Sequence, residues 1–590
     1  MSEKKSSGAY ALKRLPPSYR GIQVNYCKSP VCKNFGIPAK QGSRGRGGVA
    51  KDRDPNYTVS GAGKATDFVT TFKCKSCSEH LPIKSNRGIS LEYKRLSDYL
   101  KESDPACTNN QCRNHRHGLK KHPDEYHRFG KTRHGSSRYR CKSCKTTFSI
   151  GKSTLRHKKP HLNVQIFSLL INKMPLNRIM EVADVTAATL YGKIDFIHRQ
   201  CIAFIANRER KMIGSSFTDR LYLSTDRQMY YLNWTKRKDK RTVNFEAVGT
   251  ADNRSSYVFG MHLNFDPGLN ADRIEHWAIK CNDYERPMAM RRHAHIWLLD
   301  DYHRTAEHKA RKSARKHSQS IQERYDEAAE RDDIESSRFM DPDVQLPTKG
   351  VQIHNEYTLY AHFFLMAEMF KGVEKVRFYM DMESGIRAAF MTAFNKRVLN
   401  RTADAWYVMT NKELTTPEKN QLCNKSELKI KAVRRSFPSF TEYDAKMHLL
   451  KSAMGDIKHI GPWKDRWLDF PFATMSEAEK QVCWLTDLGD YTEDHQAALY
   501  GKASLHAIDR FFMQTRRRFT YLERPIATPS QNRRTWYGYT AYDPNRIQQV
   551  LDIYRTAYNY HWLGDDKHTP AMRLGLSKGK VSLEDIIYFS

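Results

Sequence analysis

Apolar residues in the middle of the chain first alternate with polar ones, as in β-strands, and then recur at helical spacing. LYLSTDRQMYYLNW, from residue 221, and TVNFEAVGTADNRSSYVFGMHLNFD, from residue 242, predict three strands with a turn at TADNRSS. YAHFFLMAEMF then predicts a helix, and KVRFYMDMESG predicts a short buried strand that ends at Asp381. A second helix is predicted after Gly385, and AWYVMT, residues 405–410, predicts a further strand. The predicted order is three strands, a helix, a strand, a helix and a strand.

This order is typical of an α/β ribonuclease-H-like fold, which we predict for residues 215–530. The segment is longer than that fold needs, so two insertions are predicted, at about 270–345 and 411–500. The first contains HRTAEHKARKSARKHSQSIQERYDEAAERDDIESS, which is either a solvated helical arm or a contact for DNA or another subunit. The second holds KAVRRSF and HIGPWKDRW, and we predict it to be helical.

A second helical pattern covers LNVQIFSLLINKMPLNRIMEVADVTAATLYGKIDFIHRQ, residues 162–200. Its apolar positions predict three helices, the last of which begins after a turn near Asp184 with Thr186 as its N-cap. This is the arrangement of a helix-turn-helix, whose recognition helix enters the DNA major groove, and we predict that domain for residues 160–205. An ordinary helical hairpin would give the same pattern. The candidate groove contacts are Thr186, Thr189, Tyr191 and Lys193.

Eight of the 12 cysteines fall before residue 145, in four short-spaced pairs. The pairs form C-x4-C…C-x2-C twice: Cys27, Cys32, Cys74 and Cys77, and then Cys107, Cys112, Cys141 and Cys144. Short-spaced cysteine pairs supply the four soft ligands that Zn²⁺ binds in a tetrahedron. The sequence therefore predicts two structural Zn²⁺ ions in two zinc ribbons, at residues 20–90 and 100–152. The four single cysteines, Cys201, Cys281, Cys423 and Cys483, are interpreted as small apolar residues.

The length of the chain bounds the number of domains, and its net charge indicates the kind of partner. A chain of 590 residues exceeds one hydrophobic core, so at least three units are expected. The net charge of +34 favours a polyanionic partner, and double-stranded DNA is the partner that we predict, although a ribosome-associated or merely soluble basic protein would also be basic. Basic and aromatic residues interleave in QNRRTWYGYTAYDPNR, within a C-terminal segment predicted at 531–590. We expect no membrane span and a cytoplasmic protein.

Carboxylates at the predicted strand ends suggest metal chemistry. Asp226 and Asp381 would point into one cleft, where they repel one another unless cations lie between them. Two Mg²⁺ ions, or Mn²⁺ in their place, would relieve that repulsion and support phosphodiester cleavage and strand transfer. The third carboxylate is assigned to Asp509, on a predicted helix, with Glu523 as the competing candidate. Arg516, two turns after Asp509, and the adjacent Arg517 would contact DNA.

Zinc ribbons, a helix-turn-helix and then STD, YMD and IDRFFMQTRRR together resemble bacterial insertion-sequence transposases of the acidic-triad class, especially those with an N-terminal zinc ribbon. The resemblance implies a DNA transposase that binds element ends, cleaves and joins strands at Asp226, Asp381 and Asp509, acts as a homo-oligomer and works at the bacterial nucleoid. In that family the third acid is usually Glu, with a basic residue seven positions on. Asp509 departs from this pattern, whereas Arg516 fits it.

Two other functions are compatible with the same features. A non-catalytic, zinc-dependent DNA-binding regulator derived from a transposase would keep the ribbons and the helix-turn-helix. A zinc-dependent RNA-binding protein of the translation machinery would keep the ribbons and the charge. Convergence of Asp226, Asp381 and Asp509 in the folded chain is the feature that separates the catalytic function from both.

Overall fold

A computed structural model gives the fold. It describes residues 15–40, 54–60, 71–102, 104–133, 135–151, 157–234, 243–302, 347–383, 385–461, 464–523, 526–527, 535–536 and 541–589. The charged stretch of the first predicted insertion and half of QNRRTWYGYTAYDPNR lie outside the described residues.

Two small antiparallel sheets occupy the N-terminal part of the chain, each with three strands in sequence order. The first holds β1 (Tyr57–Ser60), β2 (Thr71–Cys74) and β3 (His80–Pro82), and the second holds β4 (Tyr126–Lys131), β5 (Ser137–Cys141) and β6 (Thr147–Ile150). Their registers correspond, since Tyr57 lies opposite Cys74 and Tyr126 lies opposite Cys141. The repeated cysteine motif therefore corresponds to a repeated backbone arrangement.

Helix α1 (Asn86–Ser97) follows the first small sheet and fastens it to the rest of the molecule. The Arg95 guanidinium donates hydrogen bonds to the carbonyl oxygens of Phe265 at 2.9 Å and Leu263 at 3.1 Å. The Tyr26 hydroxyl donates to the Thr392 carbonyl at 3.1 Å. These bonds join the first cysteine-rich unit to the central domain, whereas the second unit has only a small core of its own around Tyr126.

Three helices follow: α2 (Asn163–Leu170), α3 (Leu176–Val182) and α4 (Ala187–Met212). Thr186 is the N-cap of α4, as predicted, because its side chain accepts a hydrogen bond from the Thr189 N–H. The length of α4, 26 residues, carries it well beyond the predicted helix-turn-helix. Its second half is buried against the central domain at Cys201, Phe204 and Ile205.

The central domain is built on a mixed sheet of eight strands. In chain order these are β7 (Arg220–Leu232), β8 (Val243–Asp252), β9 (Val258–Leu263), β12 (Lys375–Asp381), β13 (Ala403–Thr410), β14 (Lys458–Ile460), β15 (Asp465–Asp469) and β16 (Lys480–Trp484). The spatial order is β14-β15-β16-β13-β12-β7-β8-β9. Strands β7, β12 and β13 run parallel, and every other neighbouring pair is antiparallel. Two smaller sheets pair β10 (Phe265–Asn270) with β11 (Lys349–Gln352) and β17 (Ile526–Ala527) with β18 (Thr535–Trp536).

Helices pack around this sheet and extend from its edge. They are α5 (Ala271–Lys280), α6 (Asn355–Met369), α7 (Ile386–Ala393), α8 (Asn395–Leu399), α9 (Thr416–Ser436), α10 (Glu442–Gly455), α11 (Glu493–Tyr500), α12 (His506–Arg518), α13 (Pro544–Tyr560), α14 (Pro570–Arg573) and α15 (Leu583–Ile587). The predicted order of three strands, a helix, a strand, a helix and a strand is found in β7, β8, β9, α6, β12, α7 and β13, but β10, α5 and β11 lie between β9 and α6, and α8 lies between α7 and β13.

Two parts of the chain differ from the sequence prediction. The second insertion is not purely helical, because β14, β15 and β16 within it extend the central sheet by three strands. The C-terminal segment is not a separate basic tail, because α13 is buried along almost its whole length. Its Asn559 side chain exchanges two hydrogen bonds, each of 2.9 Å, with the backbone of Val258 on edge strand β9. This helix therefore belongs to the central core.

No helix in the described part of the chain combines the length and the hydropathy that a membrane span requires.

A buried ion pair fastens α13 to α4, and its loss should destabilise the fold. Arg555 donates to Glu209 at 2.8 Å and to the Phe259 carbonyl at 2.6 Å, and both charged side chains are almost wholly buried. Arg555→Ala would leave the Glu209 carboxylate buried without its partner, so we expect the free energy of unfolding to fall by about 3–5 kcal/mol in urea denaturation. Lys101→Ala removes an exposed partner of Asp98 and should have a much smaller effect. Equal stability of Arg555→Ala and the wild type would contradict this role.

Candidate functional site

The first cysteine group is formed by Cys27 and Cys32, before the small sheet, and by Cys74 and Cys77, at and just after the end of β2. Cys27 Sγ lies 3.5 Å from Cys77 Sγ, and Cys32 Sγ lies 3.7 Å from Cys74 Sγ. All four sulfur atoms lie within 4.8 Å of one another. Around a tetrahedral Zn²⁺ with Zn–S bonds of about 2.3 Å, neighbouring sulfurs are about 3.8 Å apart. The spacing therefore fits one Zn²⁺ ion.

The second cysteine group repeats this geometry. Cys107 Sγ lies 3.3 Å from Cys144 Sγ, and Cys112 Sγ lies 3.7 Å from Cys141 Sγ, with all four again within 4.8 Å. Hydrogen bonds from the side chain and backbone of Thr146 lower the pKa of Cys144 to about 6. A thiolate is the form that binds a metal. Both groups could hold structural zinc, and both are compatible with zinc ribbons.

Matching residues support the sulfurs in the two groups. The backbone N–H groups of Asn34 and Asn114 donate to Cys32 Sγ and Cys112 Sγ, at 3.4 Å in each case. The side-chain amides of the same asparagines donate to Cys74 Sγ at 3.3 Å and Cys141 Sγ at 3.4 Å. Donors of this kind stabilise thiolate charge and orient metal ligands. The second copy of the motif thus reproduces the surroundings of the sulfurs as well as the sulfurs.

A third group consists of acids and lies where the parallel pairing of β7 with β12 ends. Asp381 is the last residue of β12, whereas Asp226 lies in the middle of β7 and not at a strand end as predicted. Met380 of β12 pairs with Thr225 of β7, so the next residues along these parallel strands, Asp381 and Asp226, are neighbours. Ligand oxygens of Asp226, Asp381 and Glu383 lie within 4.8 Å of one another. We call these three residues the acid cluster. Of the described residues, only the acid cluster and the two cysteine groups have this potential metal-binding geometry.

The electrostatics of the acid cluster are those of crowded carboxylates. Asp226 is buried, and burial together with the nearby charges of Asp381 and Glu383 raises its pKa well above the ordinary value. A divalent cation would compensate such charges, and carboxylate oxygens are the ligands that Mg²⁺ prefers. The acid cluster could therefore bind a divalent metal ion.

Glu383 is a member of the acid cluster that the sequence prediction missed. It follows Asp381 by two residues, in the loop where β12 ends. Arg227, the residue after Asp226, pairs with Glu383 through Nε, and its Nη1 lies 2.9 Å from Glu246 Oε2. The sequence DME at a strand end could have predicted this residue, because side chains two residues apart in an extended chain point to the same side, and Glu383 would then lie on the same side as Asp381.

Lys412 is a further residue that the sequence prediction missed. It follows the end of β13 by two residues, and its Nζ lies 3.6 Å from Asp381 Oδ2. Partial desolvation lowers the pKa of Lys412, but the negative charges of Asp381, Asp226 and Asp509 outweigh it and raise the pKa. Lys412 therefore supplies positive charge beside the acid cluster.

Asp509, the predicted third acid, lies on the first turn of α12 next to the acid cluster but is not part of it. The Ile508 N–H donates to Ser224 Oγ at 3.2 Å, which fixes this turn two residues before Asp226 on β7. Gly249, opposite Asp226, allows the close approach, because a Cβ there would lie 2.7 Å from the Ile508 side chain. Burial raises the pKa of Asp509, and Lys412 opposes this shift.

Glu523, the competing candidate, is half-exposed and pairs with Lys173 at 3.6 Å, so it lies outside the acid cluster. The structure thus brings Glu383 to Asp226 and Asp381 and leaves Asp509 as a neighbour. The variants Glu383→Gln and Asp509→Asn distinguish which of the two acids completes a metal site.

The predicted DNA contacts lie in different surroundings. Thr186 and Tyr191 are exposed at the start of α4, and Thr189 is partly exposed. Lys193, however, is buried, and its Nζ donates to the Lys159 carbonyl at 2.9 Å and to Asn163 Oδ1 at 2.5 Å. Its ammonium group fastens α4 to the start of α2 and does not face solvent. Arg517 is exposed on α12, and Arg516 beside it is partly buried.

The zinc assignment predicts a metal content of two Zn²⁺ per chain. A variant with Cys141→Ser and Cys144→Ser should retain one, because it keeps only the first cysteine group. Elemental analysis measures the content, and amide hydrogen exchange should show local unfolding of the second ribbon alone. Cys423→Ser, at a partly exposed cysteine outside both groups, is the control and should retain two. Two Zn²⁺ in the double variant would contradict the assignment of the second site.

The acid cluster predicts a divalent-ion site that can be measured without any substrate. Asp226→Asn should weaken Mn²⁺ binding, followed by electron paramagnetic resonance, by more than about tenfold, because losing a ligand costs at least as much as losing a supporting residue. Glu523→Gln, at an acid outside the acid cluster, should bind Mn²⁺ like the wild type. Unchanged Mn²⁺ affinity in both Asp226→Asn and Asp381→Asn would rule out the site.

Comparison with known proteins does not assign the chain to a family. No protein-family model matches it, and no curated protein matches it significantly. The candidate function therefore depends on the geometry of the two cysteine groups and the acid cluster.

Proposed function

We propose that this chain is a DNA transposase with a ribonuclease-H-like catalytic domain, which binds element ends and catalyses metal-dependent DNA strand cleavage and strand transfer. The observation that carries the proposal is the meeting of Asp226, Asp381 and Glu383 where β12 ends beside its parallel neighbour β7. The sheet supports it, because β9-β8-β7-β12-β13 combines three antiparallel strands with two parallel ones in the order expected of that fold.

Asp226 and Asp381 would hold two Mg²⁺ ions between them, with Glu383 or Asp509 as the third acid. Bound metal would activate the attacking water or 3′-hydroxyl and stabilise the charge that develops on the phosphate. The protein's own part is to fix the carboxylates, and β-sheet pairing on both sides of Asp226 provides that rigidity. Arg227 orients Glu383, and Lys412 offers a cation to the DNA phosphate once metal compensates the acids.

Binding of double-stranded DNA is assigned to the two ribbons, the exposed start of α4 and Arg517. In the second ribbon, Phe129 is exposed, and the guanidinium carbons of Arg138 and Arg140 lie 5.5 and 5.6 Å from its ring centroid. Such a basic and aromatic surface suits contact with the DNA backbone. Thr186 and Tyr191 are the proposed groove contacts of a helix-turn-helix formed by α2, α3 and α4, and Lys193 is left out because it is buried.

A transposase handles two element ends in one reaction, so we propose a homo-oligomer acting on cytoplasmic, nucleoid DNA. Two ribbons in each chain increase the affinity for DNA, since binding of one raises the local concentration of the other.

Cleavage of DNA from the flanks of the gene tests this proposal directly. Asp226→Asn and Asp381→Asn should lower the rate of Mg²⁺-dependent cleavage at least about a hundredfold, because metal stabilisation of the transition state is worth several kcal/mol. DNA binding, measured separately by fluorescence anisotropy, should be retained. Cleavage at the wild-type rate in both variants would identify the protein as a DNA-binding regulator instead.

The same assay identifies the third acid. Glu383→Gln and Asp509→Asn are compared, with Glu523→Gln as the control outside the acid cluster. The variant that removes a metal ligand should lower the cleavage rate as much as Asp226→Asn does. The variant of the neighbouring acid should lower the rate much less.

A further inference from the structure

Helix α9 is unusually exposed for an element next to a candidate active site. It spans Thr416–Ser436, and of its 21 residues only Ser426 is buried. At about 1.5 Å per residue, it extends for about 30 Å. Leu428, near its middle, is 65% exposed. A helix that buries so little apolar surface gains little stability from packing, so we expect its exposed face to bind a partner.

The start of α9 is fixed beside the acid cluster. The chain leaves β13 at Thr410, passes Lys412 with its Nζ 3.6 Å from Asp381, and enters the helix at Thr416. A capping box between Thr415 and Glu418 closes the first turn. Farther along, the Ala473 N–H donates to Ser426 Oγ at 2.9 Å and fastens the middle of the helix. The helix therefore leads away from the acid cluster along a defined direction.

The charge of α9 is strongly positive. Its sequence, TPEKNQLCNKSELKIKAVRRS, holds six Lys and Arg residues and two Glu residues. Lys425, Leu428, Lys431 and Arg435 follow one another at intervals of three or four residues and are all exposed, so they form one stripe on the helix surface. Ser426, Ile430 and Val433, which are buried or partly buried, lie on the other side. We call Lys425, Lys431 and Arg435 the basic stripe.

Among the described residues, the basic stripe has one ion pair. Lys431 lies 3.9 Å from Glu427, and both side chains are about two-thirds exposed, so this pair is weak. A row of cations with one apolar residue is suited to binding phosphate groups. A protein–protein interface would need a larger apolar centre on this face of the helix. The length of about 30 Å is close to one turn of B-DNA, about 34–36 Å.

We propose that α9 is a phosphate-binding arm, which holds duplex DNA through the basic stripe and aligns it with the acid cluster. The inference rests on the proposed function and deepens it by naming the surface that carries the DNA beside the reacting phosphate. Lys412 lies at the inner end of this path and the basic stripe extends outward from it. The arm contacts the backbone and not the bases, so it acts on any sequence.

Salt dependence of DNA binding tests the arm. The variant Lys425→Gln, Lys431→Gln, Arg435→Gln keeps helix-forming side chains and removes three charges. Binding of a duplex several helical turns long is measured without added Mg²⁺ or Mn²⁺, so that cleavage does not interfere and the zinc stays bound. The slope of log K against log salt is negative, and each lost phosphate contact reduces its magnitude by about 0.9. The magnitude of the slope should therefore be about 2.7 smaller in the triple variant than in the wild type.

A triple variant of equal charge change provides the control. Lys567→Gln, Lys578→Gln, Lys580→Gln removes three exposed lysines from loops near the C-terminus and should leave the slope almost unchanged. Equal slopes for the arm variant and the wild type would overturn the inference. Equal losses in the arm and control variants would also overturn it, since net charge and not the arm would then account for binding.

Direct contact is tested by photo-crosslinking in the full-length protein. A benzophenone amino acid at Leu428, within the stripe, should crosslink to the duplex on irradiation. The same group at Leu563, which is 47% exposed outside the arm, should not. A crosslink from position 428 to a second protein chain, with none to DNA, would overturn the inference and identify α9 as a contact between subunits.

These results are separable from those on the acid cluster. Loss of salt-dependent binding in the arm variant supports the arm even if no variant of the acid cluster alters cleavage. An unchanged arm variant, together with loss of cleavage in Asp226→Asn, removes the arm and leaves the transposase proposal intact. Failure of the wild type to bind duplex DNA at all would overturn both.

Discussion

Repulsion between neighbouring carboxylates is the constraint around which the central domain is organised. Parallel pairing of β12 with β7 puts Asp381 beside Asp226, and Glu383 follows from the loop. Their charges destabilise one another in a site that is largely shielded from water. Cations surround them in response: Arg227 on one side and Lys412 on the other. Protonation of Asp226, whose pKa is raised, relieves part of this repulsion, and a divalent ion bound by the three carboxylates could relieve it further.

The two cysteine groups lie in short segments that have little hydrophobic core of their own to stabilise their folds. The second ribbon has a core of only a few residues around Tyr126, so metal binding would supply much of its folding free energy. The first ribbon has in addition the contacts of Tyr26 and α1 with the central domain. If both groups bind zinc, we expect the second unit to depend on the metal more than the first, because the first has these additional contacts with the central domain.

The proposed binding of DNA would use positive charge on several elements of the chain. The partly exposed arginines around Phe129, the exposed Arg517 on α12 and the basic stripe of α9 lie on separate elements. Contacts from several elements restrain a duplex in position and direction, which a single patch would not do. The buried lysine Lys193 is the exception, because its ammonium group serves the packing of α4 against α2.

Local patterns determined what depends on neighbouring residues in the chain. Cysteine spacing predicted both four-sulfur groups, the residue preceding α4 predicted its cap, and alternation predicted the strands that carry Asp226 and Asp381. Only the tertiary structure decided that Glu383 joins the acid cluster while Asp509 stays beside it, that Lys193 is buried and that α13 completes the core. The physical reason is that these outcomes depend on distances between residues far apart in the chain, set by sheet register and helix docking, which no local pattern encodes.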